Sequence, residues 1–250
     1  MGEQKIGVAL KPSVQWLCRG VLLLAAAGGL AGWSAGAQAG DRPFSAITTA
    51  VAEEDDDNVW SASVVAQRLG SARGLGLEAE YAFNPTTSVQ IGLGHARERG
   101  TGIRSSAVEL ELKHLFNHIA RDGWGWGVSL SHASVKGSGE SWRGGNWALV
   151  LPFSVQLGES ASFVHANLGY EKSRGQRRER FAAIGIEHEV HRRFVLFAET
   201  AREGETRLLN VGVRHWIKRE KWAIDLSAQR ASGAGERATG WVLGLSAYDL

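Results

Sequence analysis

The stretch Leu75-Gly76-Leu77-Glu78-Ala79-Glu80-Tyr81-Ala82-Phe83 decides the fold. Leu75, Leu77, Ala79, Tyr81 and Phe83 occupy one side of a two-residue repeat, and Gly76, Glu78, Glu80 and Ala82 the other. An α-helix turns every 3.6 residues or so and would mix the two sets, whereas a β-strand separates them.

The same rhythm recurs along the chain. It predicts strands near 59–67, 74–84, 88–97, 104–116, 123–134, 146–157, 161–170, 181–190, 194–201, 208–217, 221–229 and 240–250. Roughly 9 to 11 residues of tilted strand cross a bilayer, and most of these segments match that length. The expected connectors alternate between tight turns (84–87, 158–160, 191–193, 218–220) and longer Gly-rich loops (98–103, 135–145, 171–180, 202–207, 230–239). Short periplasmic turns and longer outer loops are the layout of outer-membrane barrels. The expected architecture is therefore an all-β, antiparallel, up-and-down transmembrane β-barrel of about 12 strands in a Gram-negative outer membrane, with both termini periplasmic.

Two segments precede the expected barrel at 59–250. Residues 1–39 carry Lys5, Lys11 and Arg19, then an apolar run from Val21 to Leu30, then Ala37-Gln38-Ala39. That order predicts a cleaved signal peptide, because the run falls short of the about 20 apolar residues that a membrane helix needs. Residues 40–58 end in Glu53-Glu54-Asp55-Asp56-Asp57, and mutual repulsion predicts a solvated periplasmic segment. The only cysteine, Cys18, lies in the leader, so disulfides, thiolate catalysis and cysteine metal sites are excluded from the exported part. The full chain has 28 basic and 26 acidic residues; losing Lys5, Lys11, Arg19 and Glu3 leaves 25 of each.

Charge then sorts by zone. The longer loops and adjoining strand ends hold 16 Lys or Arg against 7 Glu, an expected basic rim. Within it, Lys172, Arg174, Arg177, Arg178 and Arg180 form the densest run and are candidates to contact lipopolysaccharide phosphates, which guanidinium groups bind in bidentate fashion. Nucleic acid is excluded as a partner by compartment and by the lack of interleaved aromatics.

Strand interiors reverse the sign. Glu78, Glu80, Glu109, Glu111, Glu187, Glu189, Glu199 and Asp225, with Lys113 and Arg214, alternate with apolar residues. A mid-bilayer Arg or Lys costs roughly 2 to 4 kcal/mol on the lipid face, so these ten are expected to line the lumen. Filled with water, a carboxylate ring favours cations; filled with side chains, the same groups make a paired plug.

Chemistry-bearing constellations are few. His132-Ala133-Ser134 with Glu140 resembles the His-x-Ser arrangement of outer-membrane lipid A deacylases, which implies His as base and Ser as nucleophile. The flanking residues of that family are absent, and His132 follows the apolar parity of Val128 and Leu130, the pattern of an interfacial histidine. His188 and His191 stand near Glu187 and Glu189 without ligand spacing, and Gly92-Leu93-Gly94 precedes no helix. No catalytic residue, metal or cofactor is expected.

Residues 194–250 carry a wider likeness through Phe197-Ala198-Glu199, "LLNVGVRHWI" (208–217), "WAIDLSAQR" (222–230) and "GWVLGLSAYDL" (240–250). This part resembles the end of the barrel family named for the MetA pathway of phenol degradation. The resemblance implies an outer-membrane barrel that passes aromatic or other small solutes, and carries over no site residue. Barrels delivered to the assembly machinery commonly end in Phe; here the end is Leu250, preceded by Tyr248, Ser246 and Gly244. The expected function is a narrow porin-like channel for cations or small solutes. The alternatives are a non-conducting barrel that binds lipopolysaccharide and a lipid A hydrolase using Ser134.

Overall fold

The computed structural model describes residues 43–47, 58–117, 119–158, 161–173, 178–233 and 236–250. Twelve strands run in chain order: β1 (Val59–Leu69), β2 (Ala72–Asn84), β3 (Thr87–Glu98), β4 (Arg104–Leu115), β5 (Trp124–Gly137), β6 (Arg143–Gln156), β7 (Ser162–Lys172), β8 (Glu179–His191), β9 (Phe194–Glu203), β10 (Thr206–Lys218), β11 (Trp222–Gly233) and β12 (Glu236–Ala247). One helical turn, α1 (Ile119–Asp122), lies between β4 and β5. Every strand pairs antiparallel with its chain neighbours, and β12 pairs with β1 from Ala62↔Ala247 to Leu69↔Gly240. Ring closure leaves no edge strand, which is the condition for a sheet to satisfy its backbone hydrogen bonds inside hydrocarbon.

The predicted two-residue rhythm sets the two faces. Leu77 meets Leu93 across β2 and β3, Leu130 meets both Leu112 and Leu149, and Leu226 meets Leu243. All of these side chains point outward and are exposed, as are Leu168, Ile184, Leu196 and Val211 further round. Strands of this length rise about 3.3 Å per residue and tilt by about 40°, so the belt is about 25 to 35 Å tall. An apolar surface encircling the molecule far exceeds the few hundred Å² that soluble proteins tolerate, and hydrocarbon is the medium that removes its cost.

Aromatic residues lie toward both ends of this wall: Trp147, Tyr170 and Trp241 at the far end, and a larger group at the end where Val59 and Ala247 lie. Trp60, Tyr81 and Phe83 stack in series at centroid separations of 4.9 and 5.0 Å. Phe116 lies 4.5 Å from Trp126, and Phe194 lies 4.6 Å from His215. Rings with one wet edge suit a membrane interface. Trp216, at the same end, instead faces the lumen and is buried.

The expected alternation of short and long connectors does not hold. The strands run on into the Gly-rich stretches, leaving connectors of two to six residues at the far end (70–71, 99–103, 138–142, 173–178, 204–205, 234–235). At the terminal end they span two to eight (85–86, 116–123, 157–161, 192–193, 219–221). Glycine content alone signals a loop, whereas many of these glycines and their charged neighbours continue the ladder.

Candidate functional site

The lumen wall falls into two unlike parts. Cross-strand register stacks the first, on β2 to β5, in layers. Gly76 faces Gly94, which faces Ala107. One layer nearer the terminal end, Glu78 faces Gly92, which faces Glu109; the next carries Glu80, Gln90, Glu111 and Ser131. Lys113 follows, its Nζ 3.2 Å from Glu80 Oε1. Ser63 donates to Glu78 at 3.2 Å, and Glu171 of β7 comes within electrostatic reach of Glu109. Four carboxylates stand on this wall, and Lys113 pairs with one of them, Glu80. Gly92 leaves the wall bare between two of them: a Cβ built there would meet only Glu109 Cβ, at 3.8 Å.

The second part, on β6 to β12, is filled. Arg214 donates to Asp225 through Nε at 2.7 Å and Nη2 at 2.9 Å, and the two side chains are 1% and 2% exposed. The guanidinium also lies 5.1 Å from the Trp216 ring centroid and 5.5 Å from that of Tyr248. A bidentate pair roofed by two rings offsets its desolvation. His165 sits 2.8 Å from Ser154 Oγ through Nδ1 and 3.7 Å from Glu187 through Nε2.

Residues 43–47 complete this half; these five, within the segment 40–58 expected to be solvated, are instead packed into the barrel. Phe44, Ala46 and Ile47 are fully buried in one cluster with Val150, Phe181, Ala183, Phe197, Ala201 and Leu208. Glu199, 2% exposed, binds the segment. It accepts from Ser45 N (2.8 Å), Ser45 Oγ (2.6 Å) and Ala46 N (2.9 Å), while Asn210 Nδ2 donates to Glu199 at 2.7 Å and to Ser45 Oγ at 3.1 Å. The acidic run that dominates the composition of 40–58 is at residues 53–57, which lie outside the described residues; nothing in the periodicity marks the apolar residues before it. A packed lumen outweighs solvation for Phe44 and Ile47, each of which gains about 1.5 to 3 kcal/mol when buried.

All ten expected lumen residues have inward parity, but they do not form one ring. Glu78, Glu80, Glu109, Glu111 and Lys113 are brought together. Glu187, Glu199, Arg214 and Asp225 each have a separate setting in the filled half, and Glu189 sits at the terminal mouth, 3.0 Å from Arg219 Nη1. Sequence reasoning missed Gly92, His165, Phe197 and Asn210. Parity would have placed all four inward; only cross-strand register shows what they face.

The far rim is sorted by face. Arg68 lies opposite Arg73, Arg73 opposite Arg97, and Arg97 opposite Arg104, all outward and exposed. Arg202 and Arg207 repeat the pairing on β9 and β10. At the same height Glu98, Glu171 and Glu203 point inward and are buried. Thus the basic rim expected from sequence is an arginine exterior around an acidic interior. Lys172, Arg178 and Arg180 are exposed there, while Arg174 and Arg177 lie outside the described residues.

His132 and Ser134 do share the outer face, but not in catalytic geometry. His132 Nε2 accepts from Gly145 N at 3.3 Å and its ring lies 4.5 Å from Trp147; Glu140 pairs with Arg143 at 3.1 Å. His188 bonds Ser162 on the outer wall at 2.7 Å, whereas Glu187 and Glu189 face inward, so the strand divides that candidate metal cluster between two faces.

No family model matches the sequence, and no curated protein does. Solved structures share the fold. The NanC porin aligns with a TM-score of 0.59 at 8% identity, covering 76% of this chain and 100% of its own. The KdgM porin aligns at 0.57 and 13%, covering 75% and 98%. LpxR from Salmonella typhimurium aligns at 0.51 and 8%, covering 75% and 99%. At such identities the likeness is one of fold, a porin-like barrel.

Proposed function

We propose that the protein is a narrow porin-like channel of the outer membrane that favours cations and small cationic solutes. The observation that carries this reading is the strip on β2 to β4, where Glu78, Glu80, Glu109 and Glu111 cluster, Lys113 pairing with Glu80, beside a wall bared at Gly92. Carboxylates held in a low-dielectric wall attract cations and repel anions. The KdgM porin has been solved in complex with oligogalacturonate, a polyanion. An acidic strip disfavours such a solute here. The test is reversal potential in a planar bilayer under a salt gradient, with Glu78→Gln, Glu109→Gln and Glu111→Gln combined. Cation preference that falls severalfold supports the reading; a folded wild-type barrel that never conducts rejects it.

The arginine exterior favours a second reading, a barrel that binds lipopolysaccharide. Like charges directly opposite one another on a sheet destabilise it, and phosphate between the guanidinium groups would reverse that effect. Lys172, Arg178 and Arg180 extend the same surface beyond Arg68, Arg73, Arg97 and Arg104. Thermal stabilisation by lipopolysaccharide-containing vesicles should be lost when the latter four become Gln. The hydrolase reading has no such support, and Ser134→Ala is expected to leave lipid A acylation unchanged.

A further inference from the structure

We propose that residues 43–47 are a built-in ligand, and that the cradle they fill recognises a short bent peptide with a bulky apolar side chain followed by small ones. The two oxygens of Glu199 accept the backbone N–H groups of successive residues, Ser45 to Oε1 and Ala46 to Oε2. Two adjacent amide donors at that spacing are a property of a peptide, not of a sugar or a simple cation. Asn210 supplies a donor to the intervening hydroxyl.

Side chains read the rest of the segment. The Phe44 ring packs edge-on to His165 at 5.0 Å and to Phe197 at 5.9 Å. On β8 the wall is cut back to make room: a Cβ on Gly185 would lie 2.6 Å from Ile47 Cδ1 and 2.9 Å from Phe44 Cε1. Removal of the segment would leave the buried Glu199 carboxylate with Asn210 as its remaining hydrogen-bond donor among the described residues and would open an apolar hollow beside it. A buried carboxylate demands full pairing, so the vacated cradle retains affinity for a replacement of the same chemistry.

Binding is read directly, so an empty cradle and a silent bilayer are separate results. In one barrel, residues 43–47 are replaced by Gly-Ser-Gly-Ser-Gly. A synthetic peptide matching residues 41–49 (Asp-Arg-Pro-Phe-Ser-Ala-Ile-Thr-Thr) is then titrated by calorimetry. Saturable one-to-one binding is expected, at least tenfold weaker with Ala in place of Phe in the peptide or with Glu199→Gln in the barrel. No binding, or binding indifferent to both changes, overturns the proposal. An otherwise native Ser45→Cys/Asn210→Cys barrel gives a second check, since residues 40–250 contain no other cysteine. Oxidation should cross-link the pair; failure to do so in a folded barrel also overturns it.

Discussion

Gly92 and Gly185 are both inward-facing glycines on the wall of one barrel, and a methyl group would fare differently at each. At Gly92 it finds open space beyond Glu109; at Gly185 it collides with Ile47 and Phe44. The difference defines two ways of using a lumen. Around Gly92 the wall keeps side chains away and gathers carboxylates. Around Gly185 it removes a side chain so that another part of the chain fits in. Acidic residues occur in both halves: on β2 to β4 they cluster beside Lys113, whereas in the filled half they are met one by one, by Arg214 or by the amides of residues 45 and 46.

The largest expected contrast is between charges. Arg214→Ala leaves Asp225 buried without its bidentate partner and should cost about 3 to 5 kcal/mol in urea unfolding from vesicles. Glu109→Gln, in the acidic strip, should leave the unfolding midpoint nearly unchanged. Equal losses would break the distinction between the halves.

Next come the glycines themselves. Gly185→Ala overpacks the cradle and should cost about 1 to 3 kcal/mol, or else expel residues 43–47. Expulsion would show as a lower oxidative cross-linking yield when Gly185→Ala is added to the Ser45→Cys/Asn210→Cys barrel. Gly92→Ala should fold normally, whereas Gly92→Trp should fill the strip and cut conductance severalfold. A smaller effect follows from the loose side being electrostatic: raising the salt concentration should reduce cation preference, because screening shortens the reach of Glu78, Glu109 and Glu111. The least is expected outside the lumen, where Arg68→Gln, which relieves repulsion from Arg73, should shift Tm in neutral-lipid vesicles by about 1 °C.

Local sequence carries more of the wall than of its contents. Parity along Leu75 to Phe83 assigns every side chain to lipid or lumen, because a strand has only two faces. From Phe194 to Glu199 both faces are apolar, and there it is the cost of a charge in lipid that orients the strand with Glu199 inward. What a face touches is a matter of register between strands, and register depends on turns that the Gly-rich stretches disguise. The arginine row at 68, 73, 97 and 104 is scattered in sequence and contiguous only after pairing. The segment at 43–47 is the least legible, since its residues have no period and their hydrogen-bond partners lie more than 150 positions away.

Closure of β1 onto β12 has a kinetic consequence. The hairpins from β1–β2 to β11–β12 join residues close in sequence, but Ala62↔Ala247 spans nearly the whole barrel. Until β12 is made, β1 exposes a row of unsatisfied amides beside a greasy surface, and the entropic penalty of bringing the two ends together falls on the final step. The seam between the first and last strands is therefore where biogenesis stalls first, and a chain truncated within β12 should accumulate as open, aggregation-prone sheets.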